Sequence, residues 1–387
     1  MSTPQLPNLL DSLGTGRGRG RRRGRGRGGL GENHEDNQEK KDRVVQKTDE
    51  DASVSRMSAV EMGYLDDPFA RAFIYDPPIP RRYPIINRGT YVRTAAIDTL
   101  VNKFLAADRG AQKQIISLGA GSDTRYFRII SKDPTVKLVY HELDFPTNVA
   151  QKISAIQHTP SLLAVIRSTL STPSDLQITA HALTSPTYNI HPLDLRTLAI
   201  DPSTSAPPPL PTLPHLSTGA PTLLLSECCL IYLSPHDADS ILATLATSLI
   251  PPSTPLALIL YEPIRPHDPF GRVMISNLAA RGIHLQTLQK YSSLSRQRAR
   301  LRSAGFVDGQ AAADVDFIWG RWVGEAEKER VAGLEMLDEL EEWVLLARHY
   351  CVAWGWRDGV GEGGGLFGTA WEGVVGQEGN DEGEGID

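Results

Sequence analysis

Short apolar runs separated by stretches of helical spacing set the rhythm of this chain. Ile115 to Leu118, Leu138 to Leu143, Thr222 to Leu225 and Leu256 to Tyr261 are nearly continuous in apolar residues rather than alternating, the pattern of strands buried on both faces of a sheet. Around them, Arg88 to Ala106 repeats Tyr91, Ala95, Leu100, Phe104 and Leu105 at helical spacing. Tyr126 to Ile130, Pro146 to Gln157 and Ser234 to Leu249 predict further helices. The last of these opens on Ser234-Pro235, a capping hydroxyl followed by a proline suited to a first turn. Strands alternating with helices predict an α/β fold, a mostly parallel sheet covered on both faces. Beyond Glu262 the rhythm changes. Asp268 to Arg281 and Ser293 to Ala304 predict helices, and Glu325 to His349 predicts one long amphipathic helix. Tyr350 to Trp356 with Leu366 to Trp371 predicts an antiparallel end to the sheet.

The first run breaks into Gly119-Ala120-Gly121-Ser122-Asp123-Thr124. Glycines there let the backbone approach a ligand at the carboxyl end of the strand, where open α/β sheets bind nucleotides. A dinucleotide fingerprint has a third glycine for packing around a pyrophosphate, and Thr124 stands in its place. The turn therefore suits an adenosine without phosphates, such as S-adenosylmethionine. The second run ends on Asp144, where a carboxylate accepts hydrogen bonds from a ribose diol. Asp123 is read as a cap for the helix that follows, and His141 and His349 as structural.

Composition divides the 387 residues into a middle and two unlike ends. Arg and Gly alternate from Gly16 to Gly29, and the residues to Glu50 are charged and polar. This head (1–48) is expected to stay without a packed core, as is the Gly- and acid-rich tail (374–387). Between them lies one expected domain, 49–373, its ordered structure beginning near Asp49, where Thr48-Asp49-Glu50-Asp51 offers helix caps. A proline-rich segment, 201–221, reads as a loop inserted between strands. The net charge of −6 hides a basic head and an acidic tail, so it says little about partners. Three cysteines, two of them adjacent (Cys228, Cys229), form neither a metal spacing nor a disulfide framework, and no metal is expected. Without an apolar segment of spanning length, a soluble cytoplasmic protein is expected, present in the nucleus as well, with no membrane partner.

Separated motifs then line up with one family. Asn87-Arg88-Gly89-Thr90-Tyr91-Val92-Arg93, Leu118 to Thr124, Leu143-Asp144-Phe145-Pro146, Ser226 to Leu233 and His349-Tyr350-Cys351 resemble the leucine carboxyl methyltransferases, in order and across roughly 49–371. The resemblance implies a class I, Rossmann-like methyltransferase fold with an additional helical substrate lid. It also implies S-adenosylmethionine as cofactor and, as substrate, the C-terminal leucine of the type 2A protein phosphatase catalytic subunit, whose assembly the methylation regulates. Carried over residue by residue, Gly119 matches the cofactor glycine, Asp144 the ribose carboxylate, Asp194-Leu195 the adenine contact and Glu227 the acid beside the methionine portion. Arg93 matches an arginine near cofactor and substrate carboxylates. Arg56 falls where the family has lysine, which keeps the charge and changes the donor geometry. The Arg-Gly head and the proline insertion are additions to the family pattern.

The chemistry so implied is displacement of the sulfonium methyl by a carboxylate oxygen. A terminal carboxyl has a pKa of about 3.5 and is already ionised, so no general base is needed. Positioning and desolvation do the rest, with Arg93 as the donor to the carboxylate and Tyr232 as a second one. Two other readings stand beside this. A related tRNA wybutosine carboxyl methyltransferase carries kelch repeats that this chain lacks. The Arg-Gly head suits weak RNA contact, through charge and stacking of guanidinium on bases. A monomer is expected.

Overall fold

A computed structural model describes residues 34–74, 79–200, 209–338, 340–359 and 365–378. The Arg-Gly tract, Pro207 and Pro208, and the acidic tail from 380 lie outside the described residues. The chain opens on α1 (His34–Gln46) and α2 (Thr48–Glu61), runs through α3 (Pro84–Ala106) and enters the sheet at β1 (Lys113–Leu118). Then come α4 (Arg125–Lys132), β2 (Leu138–Asp144), α5 (Pro146–His158) and α6 (Pro160–Arg167). A small hairpin, β3 (Gln177–Ile178) and β4 (Leu183–Thr184), precedes β5 (Tyr188–Pro192). The second half holds β6 (Thr222–Glu227), α7 (Pro235–Thr244), β7 (Leu256–Pro263), α8 (Pro269–Ala280), α9 (Leu294–Ser303) and β8 (Gly309–Asp314). It ends with α10 (Val315–Arg321), α11 (Glu325–Ala332), α12 (Leu340–Arg348), β9 (Tyr350–Arg357) and α13 (Leu366–Ala370).

All nine strands form one sheet in the order β3-β4-β5-β2-β1-β6-β7-β9-β8. β5, β2, β1, β6 and β7 are mutually parallel, and β9 runs antiparallel to both β7 and β8. Successive side chains of a strand point to opposite faces, so each apolar run feeds two cores. Ile115, Leu223 and Ile259 join the core under α3, α4, α5 and α13, whereas Ile116, Leu224 and Leu258 join the core under α7 and α9. This explains why the runs are continuous in apolar residues. The four expected strands and the helices of the first half stand where the pattern put them, and Ser234 caps α7 by accepting from Asp237 N at 3.0 Å.

Five elements differ from expectation. Residues 34–46, assigned to the unstructured head, are helical, so ordered structure begins well before Asp49. The long helix expected over Glu325 to His349 is two helices. Gly333 ends α11, and Glu335, side chain 1% exposed, turns inward to pair with Arg81 at 2.5 Å and accept from Asn87 at 2.8 Å. Leu366 to Trp371, expected as a strand, contains α13 instead, with Phe367 stacked on Phe104 and Trp371 Nε1 donating to Leu100 O at 3.0 Å. The antiparallel partner of β9 is β8, whose Gly-Gln-Ala-Ala-Ala-Asp has none of the β-branched residues that mark strands. β5, too, went unread, a short strand of mixed polarity.

Candidate active site

The parallel part of the sheet reverses direction of growth at β1, with β2 added on one side and β6 on the other. A crevice opens at the carboxyl ends of strands at such a switch point. Here it is a cavity of about 820 Å³. Gly119 follows β1, Asp144 ends β2, Asp194 follows β5, Glu227 ends β6 and Tyr261 lies near the end of β7. All of them line it, together with Arg56, Arg93, Leu195 and Tyr232. The eight residues singled out from the sequence are thus brought to one cavity.

Backbone geometry explains the glycine turn. Gly119 and Gly121 have φ of +63° and +47°, the left-handed region that side chains disfavour. A Cβ on Gly119 would stand 2.6 Å from Cys229 Sγ, and one on Gly121 would overlap the carboxylate of Asp49. Gly121→Ala is therefore expected to lower stability by roughly 2 kcal/mol through strain and overlap together, measured by urea denaturation with the midpoint compared with wild type. Asp49, on the first turn of α2, accepts from Ser122 N at 2.8 Å and Ser122 Oγ at 2.7 Å, so α2 is seated directly over the turn.

Asp144 accepts from Gly121 N and Phe145 N, each at 2.6 Å, and from Asn148 Nδ2 at 3.2 Å. Burial raises its pKa to about 6, further helped by Asp49 and opposed by those amides. No cation pairs with this carboxylate among the described residues, and hydroxyl donors from a ribose would complete its shell. The acid after β5 behaves differently. Asp194 accepts from Arg196 N at 3.0 Å and from the Arg196 guanidinium.

At the other end of the cavity Arg93, on α3, donates from Nε to Glu227 at 2.7 Å, its guanidinium carbon 4.5 Å from the centre of the Tyr261 ring. Arg125, 1% exposed, pairs with the same carboxylate at 3.0 Å, with Asp123 at 2.6 Å and with Asp98 at 2.9 Å. Burial would push Glu227 up, but Arg93 and Arg125 outweigh it and hold its carboxyl below the usual range. Arg56 pairs with Asp67 at 3.2 Å and is held by it at the edge of the cavity. Tyr232 is half-buried, and its hydroxyl lies against Thr48. Asp123, read as a cap, does accept from Arg125 N at 3.0 Å. His141 meets His191 at 3.2 Å and His349 meets Asp268 at 2.9 Å, both outside the cavity lining.

Sequence reasoning missed Arg125 and the seating role of Asp49. Both stand beside motif residues, but their partners Asp98 and Ser122 come from other elements. It also missed α1, whose Gln38, Asp42, Val45 and Gln46 line the cavity. The apolar stretch of the lining formed by Ile86, Phe270, Val273, Met274 and Leu346 was likewise invisible, because those residues lie on three separate helices.

The strand order, with the glycine turn after β1 and the acid at the end of β2 at its switch point, defines a class I methyltransferase fold. The chain belongs to the leucine carboxyl methyltransferase family, whose family model matches residues 44–246. It is 55% identical over 355 residues to leucine carboxyl methyltransferase 1 of Aspergillus fumigatus, covering 88% of this chain and 89% of that one. To the protein of the same name from Emericella nidulans it is 55% identical over 374 residues, covering 93% and 96%. A homolog from Arabidopsis thaliana is 36% identical over 325 residues, covering 82% and 90%. No helix among the described residues is long and apolar enough to cross a membrane.

Proposed function

We propose that the protein transfers a methyl group from S-adenosylmethionine to the α-carboxylate of the C-terminal leucine of the type 2A protein phosphatase catalytic subunit, and so regulates phosphatase assembly. The observation that supports this reading is Arg93, which donates from Nε to Glu227 in the same cavity that Ile86, Phe270, Val273, Met274 and Leu346 line with apolar surface. Bound S-adenosylmethionine supplies the methyl on a cationic sulfur, which departs as a neutral thioether when a carboxylate oxygen takes the methyl. Glu227, kept anionic by two arginines, would hold the donor's α-ammonium. Asp144 would accept the ribose hydroxyls, Asp194 and Leu195 would flank the adenine, and Gly119 and Gly121 let the backbone approach closely. Arg56, with the chain geometry of a fork rather than an ammonium, is the proposed contact to the donor carboxylate from α2.

For the acceptor, Arg93 is the proposed catalytic donor. Among the described residues its one hydrogen bond is from Nε to Glu227, which leaves the terminal guanidinium nitrogens for a carboxylate. Tyr232 would donate from the side of β6. Ile86, Phe270, Met274 and Leu346 supply an apolar wall that suits a leucine side chain and strips water from the carboxylate, whose hydration otherwise masks its nucleophilicity. Purified protein incubated with methyl-labelled S-adenosylmethionine and the phosphatase catalytic subunit should give a label that alkali releases as methanol. The same subunit without its terminal leucine should take up none. Equal labelling of both forms would overturn the assignment.

A further inference from the structure

Asp194, proposed above to flank the adenine, belongs to an ion cluster whose other members, Arg196 and Asp42, have been given no role. Arg196 donates from Nε to both oxygens of Asp194, at 2.9 and 3.0 Å, and from Nη2 to Oδ2 at 2.5 Å. The same guanidinium reaches Asp42 of α1 from Nη1 at 3.1 Å and from Nη2 at 2.7 Å, across 154 positions of sequence. Its carbon lies 5.7 Å from the centre of the Phe145 ring, another cavity residue. One planar fork therefore serves two carboxylates, a task that a point-charge ammonium cannot perform.

The donors on Asp194 are the Arg196 backbone N–H, Nε and Nη2. With Nε shared between the two oxygens these make four contacts from one residue, about the number a carboxylate accepts, so Arg196 alone fixes the orientation of Asp194, and an adenine amino group would share one of its oxygens. The sequence of α1, HEDNQEKKDRVVQ, has Val44 and Val45 as its only aliphatic side chains, so it offers little apolar surface, and Asp42 supplies a polar tie to the residue after Leu195. The helix nonetheless contributes Gln38, Asp42, Val45 and Gln46 to the cavity wall.

We infer that Arg196 is a positioning residue that orients Asp194 toward the adenine and, through Asp42, clasps α1 over the bound nucleoside. Adenine recognition and closure of α1 are then one coupled event. This rests on the reading of the cavity as the S-adenosylmethionine site. Linkage makes the coupling reciprocal: whatever factor α1 docking adds to nucleoside affinity, nucleoside binding adds to α1 docking.

The test uses the full chain, with S-adenosylhomocysteine as the probe. Its dissociation constant is measured by calorimetry for wild type, Asp42→Asn, Arg196→Lys, Arg196→Gln and the Asp42→Asn/Arg196→Gln double variant. Docking of α1 is read separately, as the rate of tryptic cleavage after Lys40 or Lys41, both exposed on that helix, with and without the probe. Asp42→Asn is expected to weaken binding about tenfold and to speed that cleavage, and the probe should protect wild type more than the variant. Arg196→Lys should recover only part of the loss seen in Arg196→Gln, and adding Asp42→Asn to Arg196→Gln should change little more, since the clasp is already gone. The KM for S-adenosylmethionine should rise in these variants while the KM for the leucine-ended substrate does not. Wild-type affinity in Asp42→Asn, or cleavage at Lys40 and Lys41 that the probe leaves unaltered, would overturn the clasp alone. Failure of the wild-type protein to bind the probe would overturn the cofactor reading, and the clasp with it.

Discussion

Arg93→Ala is expected to lower kcat/KM by about a thousandfold, the scale seen when one preorganised donor to a reacting oxygen is removed. The loss should fall mainly on kcat, because in the proposed role the guanidinium would hold the substrate carboxylate in line rather than supply most of its binding. The fold should survive. α3 keeps its buried face of Tyr91, Val92, Ala96 and Ile97, and Glu227 keeps Arg125 at 3.0 Å, so no buried carboxylate is stranded. Lost stacking on Tyr261 and one lost ion pair should lower the melting temperature by only a few degrees. Arg93→Lys keeps the charge without the fork or the flat face, and should be intermediate. Steady-state kinetics beside thermal melts decide the matter: turnover within tenfold of wild type in a normally folded Arg93→Ala protein would remove the proposed role.

Asp144→Ala should act on binding first. Two ribose hydroxyls donating to one buried carboxylate amount to two charge-assisted hydrogen bonds, about 1.5 to 3 kcal/mol each, so a loss of roughly a hundredfold or more in affinity for S-adenosylhomocysteine is expected by calorimetry. Unchanged affinity would end the ribose assignment. The same residue predicts a pH dependence. Burial raises the Asp144 carboxyl from 3.8 to about 6 in the ligand-free protein, and hydroxyl donors favour its ionised form. Affinity is therefore full above about pH 6 and falls as pH drops through it, because ligand must then displace a proton. Asp144→Asn should remove that part of the dependence, and an equally steep profile in the variant would assign the titration to another group.

Much of this was legible along the chain because it is local. Continuous apolar runs mark strands whose two faces are both buried, and β1, β2, β6 and β7 lie where those runs lie. The turn at Gly119 and Gly121 needs left-handed backbone that glycine supplies, and the resemblance to the methyltransferase family named the remaining cavity residues. Where the reading failed, tertiary context had overridden local preference. β8 is made of glycine, glutamine, alanine and aspartate and is a strand only because β9 offers it a ladder. Leu366 to Ala370 is helical because Phe367 packs on Phe104. The charged stretch 34–46 lacks the apolar surface to hold a fold by itself, and it docks where Arg196 meets Asp42.

Periodicity, glycine placement and motif order, each a property of neighbours in sequence, were enough to establish the α/β class, the left-handed glycine turn after β1 and the family. The electrostatic frame of the cavity belongs to the folded chain. Arg93 meets Glu227 across 134 positions, Ser122 meets Asp49 across 73 and Arg125 meets Asp98 across 27. Such pairs form only when packing has already brought their elements together and excluded the water that would otherwise solvate each charge separately, so no local pattern announces them.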